Sequence, residues 1–93
     1  LAKRFTVKSC CGNKNLIIEV EKPIRKNQIN IFKDSGYFVP DNFYNAGIFY
    51  VKFENLTATT SFGTTRVNVK CSGKNCEKNI TAFESLLEQA VNS

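Results

Sequence analysis

Ile48-Phe49-Tyr50-Val51-Lys52-Phe53 carries the strongest strand signal in the chain. β-Branched and aromatic side chains crowd both of its faces, which suits a pleated backbone better than a helix. A strand that is apolar on both sides predicts a central place in a sheet, or one face that meets a partner. Downstream, residues 55–65 are rich in Thr, Ser and Asn around Phe62 and Gly63, and predict a loop or a weak edge strand. Arg66 to Cys71 alternates cleanly, with Val67, Val69 and Cys71 on one face. Cys71-Ser72-Gly73-Lys74-Asn75-Cys76 then reads as a tight polar turn. Beyond it the period changes. Ile80, Phe83, Leu86, Leu87, Ala90 and Val91 recur at helical spacing and predict an amphipathic helix laid on the sheet. Thr81-Ala82-Phe83-Glu84 matches a capping box, which would start that helix.

Upstream of the opening stretch, Tyr37 to Tyr44 is dense in aromatics, and predicts a short extended piece and then a turn or single helical turn over 40–46, closed by Gly47. Asp34-Ser35-Gly36 is a turn. Ile29 and Ile31, extended to Lys33, read as a strand with Phe32 on its reverse face. Leu16, Ile18 and Val20 form another, with Glu19 and Glu21 outward and Pro23 at its end. Phe5 and Val7 face one way on the first strand, and Arg4, Thr6 and Lys8 the other. Gly12-Asn13-Lys14-Asn15 supplies hairpin chemistry between the first two strands. Residues 1–93 are therefore expected to form a single domain, mainly β (α+β). Its expected architecture is a small antiparallel β-sandwich or sheet of about five to six strands, with one C-terminal amphipathic helix, stapled by disulfides.

The staples come from the cysteine count. Cys10, Cys11, Cys71 and Cys76 are an even set in a chain of 93 residues, which favours disulfides and an oxidising compartment over free thiols. An adjacent pair and one C-x4-C make a poor zinc site, because neighbouring side chains in an extended segment point to opposite faces. Two of the three possible pairings tie the first strand to residues 71–76, in straight or crossed register. The third joins Cys10 to Cys11 and Cys71 to Cys76, and a vicinal disulfide forces an unusual eight-membered ring. The long-range pairings are therefore preferred; one such bond would contribute roughly 4 kcal/mol, and the second less, because the first already closes most of the loop.

Composition removes much chemistry. With no histidine, the chain cannot build a Ser-His-Asp or Cys-His nucleophile. Its glycines are scattered singly, so no phosphate loop occurs. Glu19 and Glu21 share a strand face as glycosidase carboxylates would, and read more simply as two solvated charges. The expectation is no enzyme, no cofactor and no metal. The net charge of +5 is concentrated in the first third, from Lys3 and Arg4 to Lys33. Aromatics interleaved with lysines also suit a small basic β-barrel binding nucleic acid, but disulfides and the core's need for phenylalanine disfavour that partner. No apolar run is long enough for a membrane span. Two Asn-x-Thr sequons, at Asn55-Leu56-Thr57 and Asn79-Ile80-Thr81, permit secretion. The chain reads as a mature product or a piece trimmed from a longer precursor.

What remains is recognition. Tyrosine-bearing loops on a stapled scaffold commonly carry binding. The surfaces to test are Lys22, Arg25 and Lys26 in the basic stretch, and Tyr37, Phe38, Phe43, Tyr44 and Tyr50 in the aromatic one. The dibasic Lys3-Arg4, the cysteine grouping and the β-rich length together resemble small secreted effector or killer-toxin-type proteins of fungal character. That resemblance implies a secreted, non-enzymatic protein acting on a protein or cell-surface target of a host or competitor. An immunoglobulin-like module of a larger surface protein is the alternative.

Overall fold

A computed structural model describes residues 2–7 and 13–93. Its centre is one five-stranded antiparallel sheet in the order β1-β2-β5-β4-β3. The strands are β1 (Lys3–Val7), β2 (Asn13–Glu19), β3 (Ile48–Phe53), β4 (Leu56–Ser61) and β5 (Arg66–Ser72). A short α1 (Ile29–Asp34) and α2 (Asp41–Asn45) lie between β2 and β3, and α3 (Cys76–Val91) ends the chain. The expected architecture thus takes its single-sheet form with one long C-terminal helix, and helices supply the second layer.

Alternation sets which face is covered. In β5, Val67, Val69 and Cys71 are buried while Arg66, Asn68, Lys70 and Ser72 are exposed. Register carries this across the sheet: Leu16 pairs with Val69 and Ile18 with Val67. Ala58 lies opposite both Val69 and Val51. Against this inner face α3 lays Ile80, Phe83, Leu87, Ala90 and Val91, joined by Ile24, Ile29 and Phe32 from the connection. Phe32 is the hub, with ring centroids 5.3 Å from Phe49, 5.6 Å from Phe83 and 5.7 Å from Tyr37.

Several expectations are corrected. The strand expected at Ile29–Lys33 is a single 3-10 turn, Lys26–Gln28, running into α1. Ile29 and Phe32, three apart, are the buried pair, whereas Ile31 is only half-buried. The Gln28 side chain accepts the Arg25 backbone N–H at 2.9 Å, closing the helix start. Gly36, at φ 91°, ends it: Tyr37 N–H donates to the Phe32 carbonyl and Gly36 N–H to that of Lys33. That pair of bonds is the Schellman stop, which needs a left-handed residue at this position.

β3 is at the sheet's edge rather than its centre, and the Thr-rich β4 is an interior strand between β3 and β5. Threonine supports this place because its β-branch suits the pleat. β4 buries Leu56 and Ala58 inward and turns Thr57 and Thr59 outward. Of the turn expected at residues 12–15, Gly12 lies outside the described residues and the rest is strand. Asn13 to Asn15 already lie in β2, opposite Ser72 to Lys70.

α3 starts at Cys76, five residues before the expected capping box. Thr81 and Glu84 are then mid-helix and serve another purpose. Arg4, which faces α3 from β1, donates to Glu84 (2.9 Å), Glu77 (2.7 Å) and the Thr81 hydroxyl (3.0 Å). The Ala2 backbone N–H adds a bond to the Glu88 carboxylate at 3.2 Å.

The disulfide pairing is corrected too. Cys71 is bonded to Cys76, so the cross-link fastens the end of β5 to the first turn of α3, with 5.6 Å between the Cα atoms. Gly73, at φ 91°, turns the chain between them. The long-range pairings are therefore not formed, and Cys10 and Cys11 lie outside the described residues. The early and late parts of the chain are joined instead by the β2–β5 pairing, with the Arg4 fork adding β1 to α3.

That fork has a pH signature. Hydrogen bonds from Arg4 and then Lys14 hold the Glu77 carboxyl below its ordinary value of 4.5, while Glu84 and then Glu77 raise Arg4, which stays charged throughout. A carboxyl whose folded pKa is depressed stabilises the fold above its unfolded value, and that contribution fades as pH falls through the folded one. Below pH 4.5 the wild-type melting temperature should therefore fall more steeply than that of Arg4→Leu. Parallel curves from acid-range thermal melts would show that the fork contributes nothing.

Candidate binding surface

The side of the sheet away from α3 has no layer packed over it among the described residues, apart from α2 at the β3 edge. Its composition follows from the register. β1 turns Lys3, Phe5 and Val7 outward and β2 turns Asn15, Ile17 and Glu19. β5 adds Arg66, Asn68 and Lys70, β4 adds Thr57 and Thr59, and β3 adds Ile48, Tyr50 and Lys52. The polarity of β1 is set by Arg4. Its pairing with the α3 carboxylates draws Arg4 and Thr6 to the helix side and leaves Phe5 and Val7 in solvent.

Aromatic groups stand at both edges of this face. At the β1 edge the Arg66 guanidinium lies 5.9 Å from the Phe5 ring centroid while its Nε binds Glu19 at 2.9 Å. At the β3 edge the Phe43 ring of α2 lies 5.0 Å from that of Tyr50. Phe38 makes a two-way backbone bridge with Lys52, at 2.8 and 3.0 Å, and so shares its outward direction; its side chain is 63% exposed. Four strand spacings separate the two edges, about 19 Å. Among the described residues the exposed large apolar ones, Phe5, Val7, Phe38 and Phe43, all belong to this face or its rim.

Charge is divided in the same way. Lys3, Lys52, Arg66 and Lys70 lie on the open face with Glu19 as its acidic residue, whereas Glu77, Glu84 and Glu88 lie on α3. An aromatic surface of net positive sign can take flat apolar groups and anionic groups together.

The sequence-predicted residues divide among three places. Phe38, Phe43 and Tyr50 join the open face. Tyr44 and Lys26 meet at the corner beside it, where the ammonium is 5.1 Å from the ring centroid and Phe62 packs edge-on at 5.9 Å. Lys22 and Arg25 line a separate recess of about 160 Å³ with Gln28, Val91 and Ser93. Tyr37 is in the core, so it offers no contact surface; burial pushes its phenol up to about 12. Residues missed by the sequence reading are Phe5, Val7, Arg66, Lys70 and Lys52. The signal for the last three lay in the exposed alternate positions of β5 and β3, once those strands are set side by side.

Of the polar clusters elsewhere, a recess of about 360 Å³ between β1, β2 and α3 is walled by Arg4, Lys14 and Glu77. These charges already satisfy one another, with Lys14 3.2 Å from Glu77. The described residues contain no group of three or more Cys, Asp or Glu placed to hold a metal ion. No helix among them is long and apolar enough to cross a membrane. Comparison with known protein families, curated proteins and solved structures finds no match.

Proposed function

We propose that this chain is a secreted, non-enzymatic binding protein that uses its open sheet face to grip an acidic, apolar-bearing surface of a protein target. The observation that carries this is the gathering of Phe5, Val7, Phe38 and Phe43 on one uncovered, net cationic face. A small domain gains little in stability from partly exposed phenylalanines, and clustered ones mark an interaction site. The Cys71–Cys76 bond supports an oxidising compartment. An effector- or toxin-like role on a host or competitor target fits both features.

The test is selection of a random displayed-peptide library on the immobilised protein. Enriched peptides should carry Asp or Glu beside aromatic or aliphatic residues. Their affinity should fall at least tenfold for the triple variant Phe5→Ser, Phe38→Ser, Phe43→Ser, since truncated interface aromatics typically cost about 1–2 kcal/mol or more each. Its fold should survive with a modest loss of stability, because none of the three is in the core, although Phe43 gives up its contact with Tyr50 and Phe5 its contact with Arg66. Peptides that bind the triple variant equally well would overturn the proposal. So would absence of enrichment alongside tight, salt-sensitive binding of a single-stranded oligonucleotide, which would assign the face to nucleic acid.

A further inference from the structure

We infer that Asn55 accepts an N-linked glycan when this chain passes through a eukaryotic secretory pathway, and that Asn79, in the second sequon, does not carry one in the folded protein. The inference rests on the extracellular reading above for its biological occasion, but its geometry is independent of that reading.

The two sequons have the same chemistry and opposite settings. Phe53 and Leu56 are the last register pair of the β3–β4 hairpin, so Glu54 and Asn55 form its two-residue tip. Glu54 takes φ 52°, the left-handed conformation such tips require. Asn55 is exposed, and among the described residues its side-chain amide has no hydrogen-bond partner. Thr57, the residue that completes the sequon, is partly exposed on the open face. Its Nδ2 lies beside Gly73 at the rim of a shallow surface recess, so a sugar attached here stays at the hairpin end and enters no part of the core.

Asn79 is 7% exposed in the buried stripe of α3, beside Cys76, Ile80 and Phe83. Its Nδ2, the atom a glycan would occupy, donates to the Glu54 carboxylate at 3.1 Å. That bond ties α3 to the hairpin tip. A glycan on Nδ2 has no room beside this buried contact, and would hold the first half of α3 away from the sheet, exposing the Ile80 and Phe83 contacts.

The co-reactant is a lipid pyrophosphate-linked oligosaccharide. The Asn55 Nδ2 gives one proton to the transferase base and forms a bond to the sugar C1. The C1–oxygen bond breaks, and the lipid pyrophosphate leaves with its electron pair. Transfer to the extended nascent chain meets both sequons alike, and folding separates them. A chain modified at Asn79 cannot bury that residue, whereas one modified at Asn55 folds unhindered.

The experiment places the full chain behind a heterologous signal peptide in a eukaryotic secretion host. Secreted monomer is treated with N-glycosidase in heavy-oxygen water, and each sequon is assigned by peptide mass. The expected result is one glycan, at Asn55. It should be lost in Asn55→Gln and in Thr57→Val, which keeps a β-branched side chain in β4, and retained in Thr81→Val. An unmodified Asn55, or a glycan on Asn79 in monomer with the Cys71–Cys76 bond intact, would overturn the assignment. The extracellular reading is tested apart from this, by the location and thiol state of the protein in its source cells. Reduced, intracellular protein would defeat that reading and leave the forced-secretion result standing.

Discussion

Phe32→Ala should lower the unfolding free energy by about 3–5 kcal/mol, the usual cost of truncating a fully buried phenylalanine. Phe32 has no exposed surface, and its ring meets Tyr37, Phe49 and Phe83, which belong to the following segment, the edge strand and the terminal helix. Three independently anchored walls cannot all collapse into the space left behind, so the cavity term stays near its maximum. For a domain whose total stability is of the order of 5–15 kcal/mol, this approaches loss of the fold at ambient temperature. A urea titration should show a large fall in midpoint with little change in slope. A loss below about 1 kcal/mol would mean that α1 is not part of the core. The effect belongs to packing alone, since Phe32 has no route to the open face.

Opening the Cys71–Cys76 bond should cost about 2 kcal/mol, the chain-entropy value for so short a loop, and lower the melting temperature by roughly 10 °C. A cross-link between the first strand and residues 71–76 would be worth about twice as much. Calorimetry of Cys71→Ser, Cys76→Ser and the double variant therefore tests the pairing. The two single variants should be equal, and the double variant should add little to either. A double variant much less stable than both would show that each cysteine has a different partner. The bond's larger consequence is local, because Cys76 is where α3 begins. Without it, the first turn of the helix should fray ahead of the rest in hydrogen exchange.

Much of this architecture can be read from residue spacing, because spacing reports which face is buried. β5 alternates strictly, β2 buries Leu16 and Ile18 as expected although Ile17 puts an apolar residue on its other face, and α3 keeps its apolar stripe to Val91. The short extended piece and helical turn expected before Gly47 are present as the Phe38 bridge and α2. Short apolar runs are ambiguous. Ile29, Ile31 and Phe32 fit a strand or a turn of helix equally well until the rest of the core selects the buried pair. Position within a sheet is harder still. The apolar character of β3 suggests a central strand, yet Phe43 covers Tyr50 on its outer side and Phe38 occupies part of its edge. Threonine hides β4 for the opposite reason, being compatible with loop and strand alike. The open face was half-legible. Its β3 edge lies in the aromatic segment and Arg66 in the exposed positions of β5, but Phe5 joins it because Arg4 finds carboxylates 80 and 73 residues away in sequence, at Glu84 and Glu77.

The strand order also has a kinetic meaning. β1–β2 forms one antiparallel pair, and β3, β4 and β5 follow each other as a meander. The two units meet at one seam, where Leu16 lies opposite Val69 and Ile18 opposite Val67. Every contact across it closes a loop of about 50 residues, a large entropic step relative to the short turns inside each unit. Such non-local pairing places a small domain in the slower, millisecond-to-second range of folding times. Until the seam closes, β2 and β5 are both uncapped edges with apolar inner faces, and the interval before they meet is when the chain is most open to self-association.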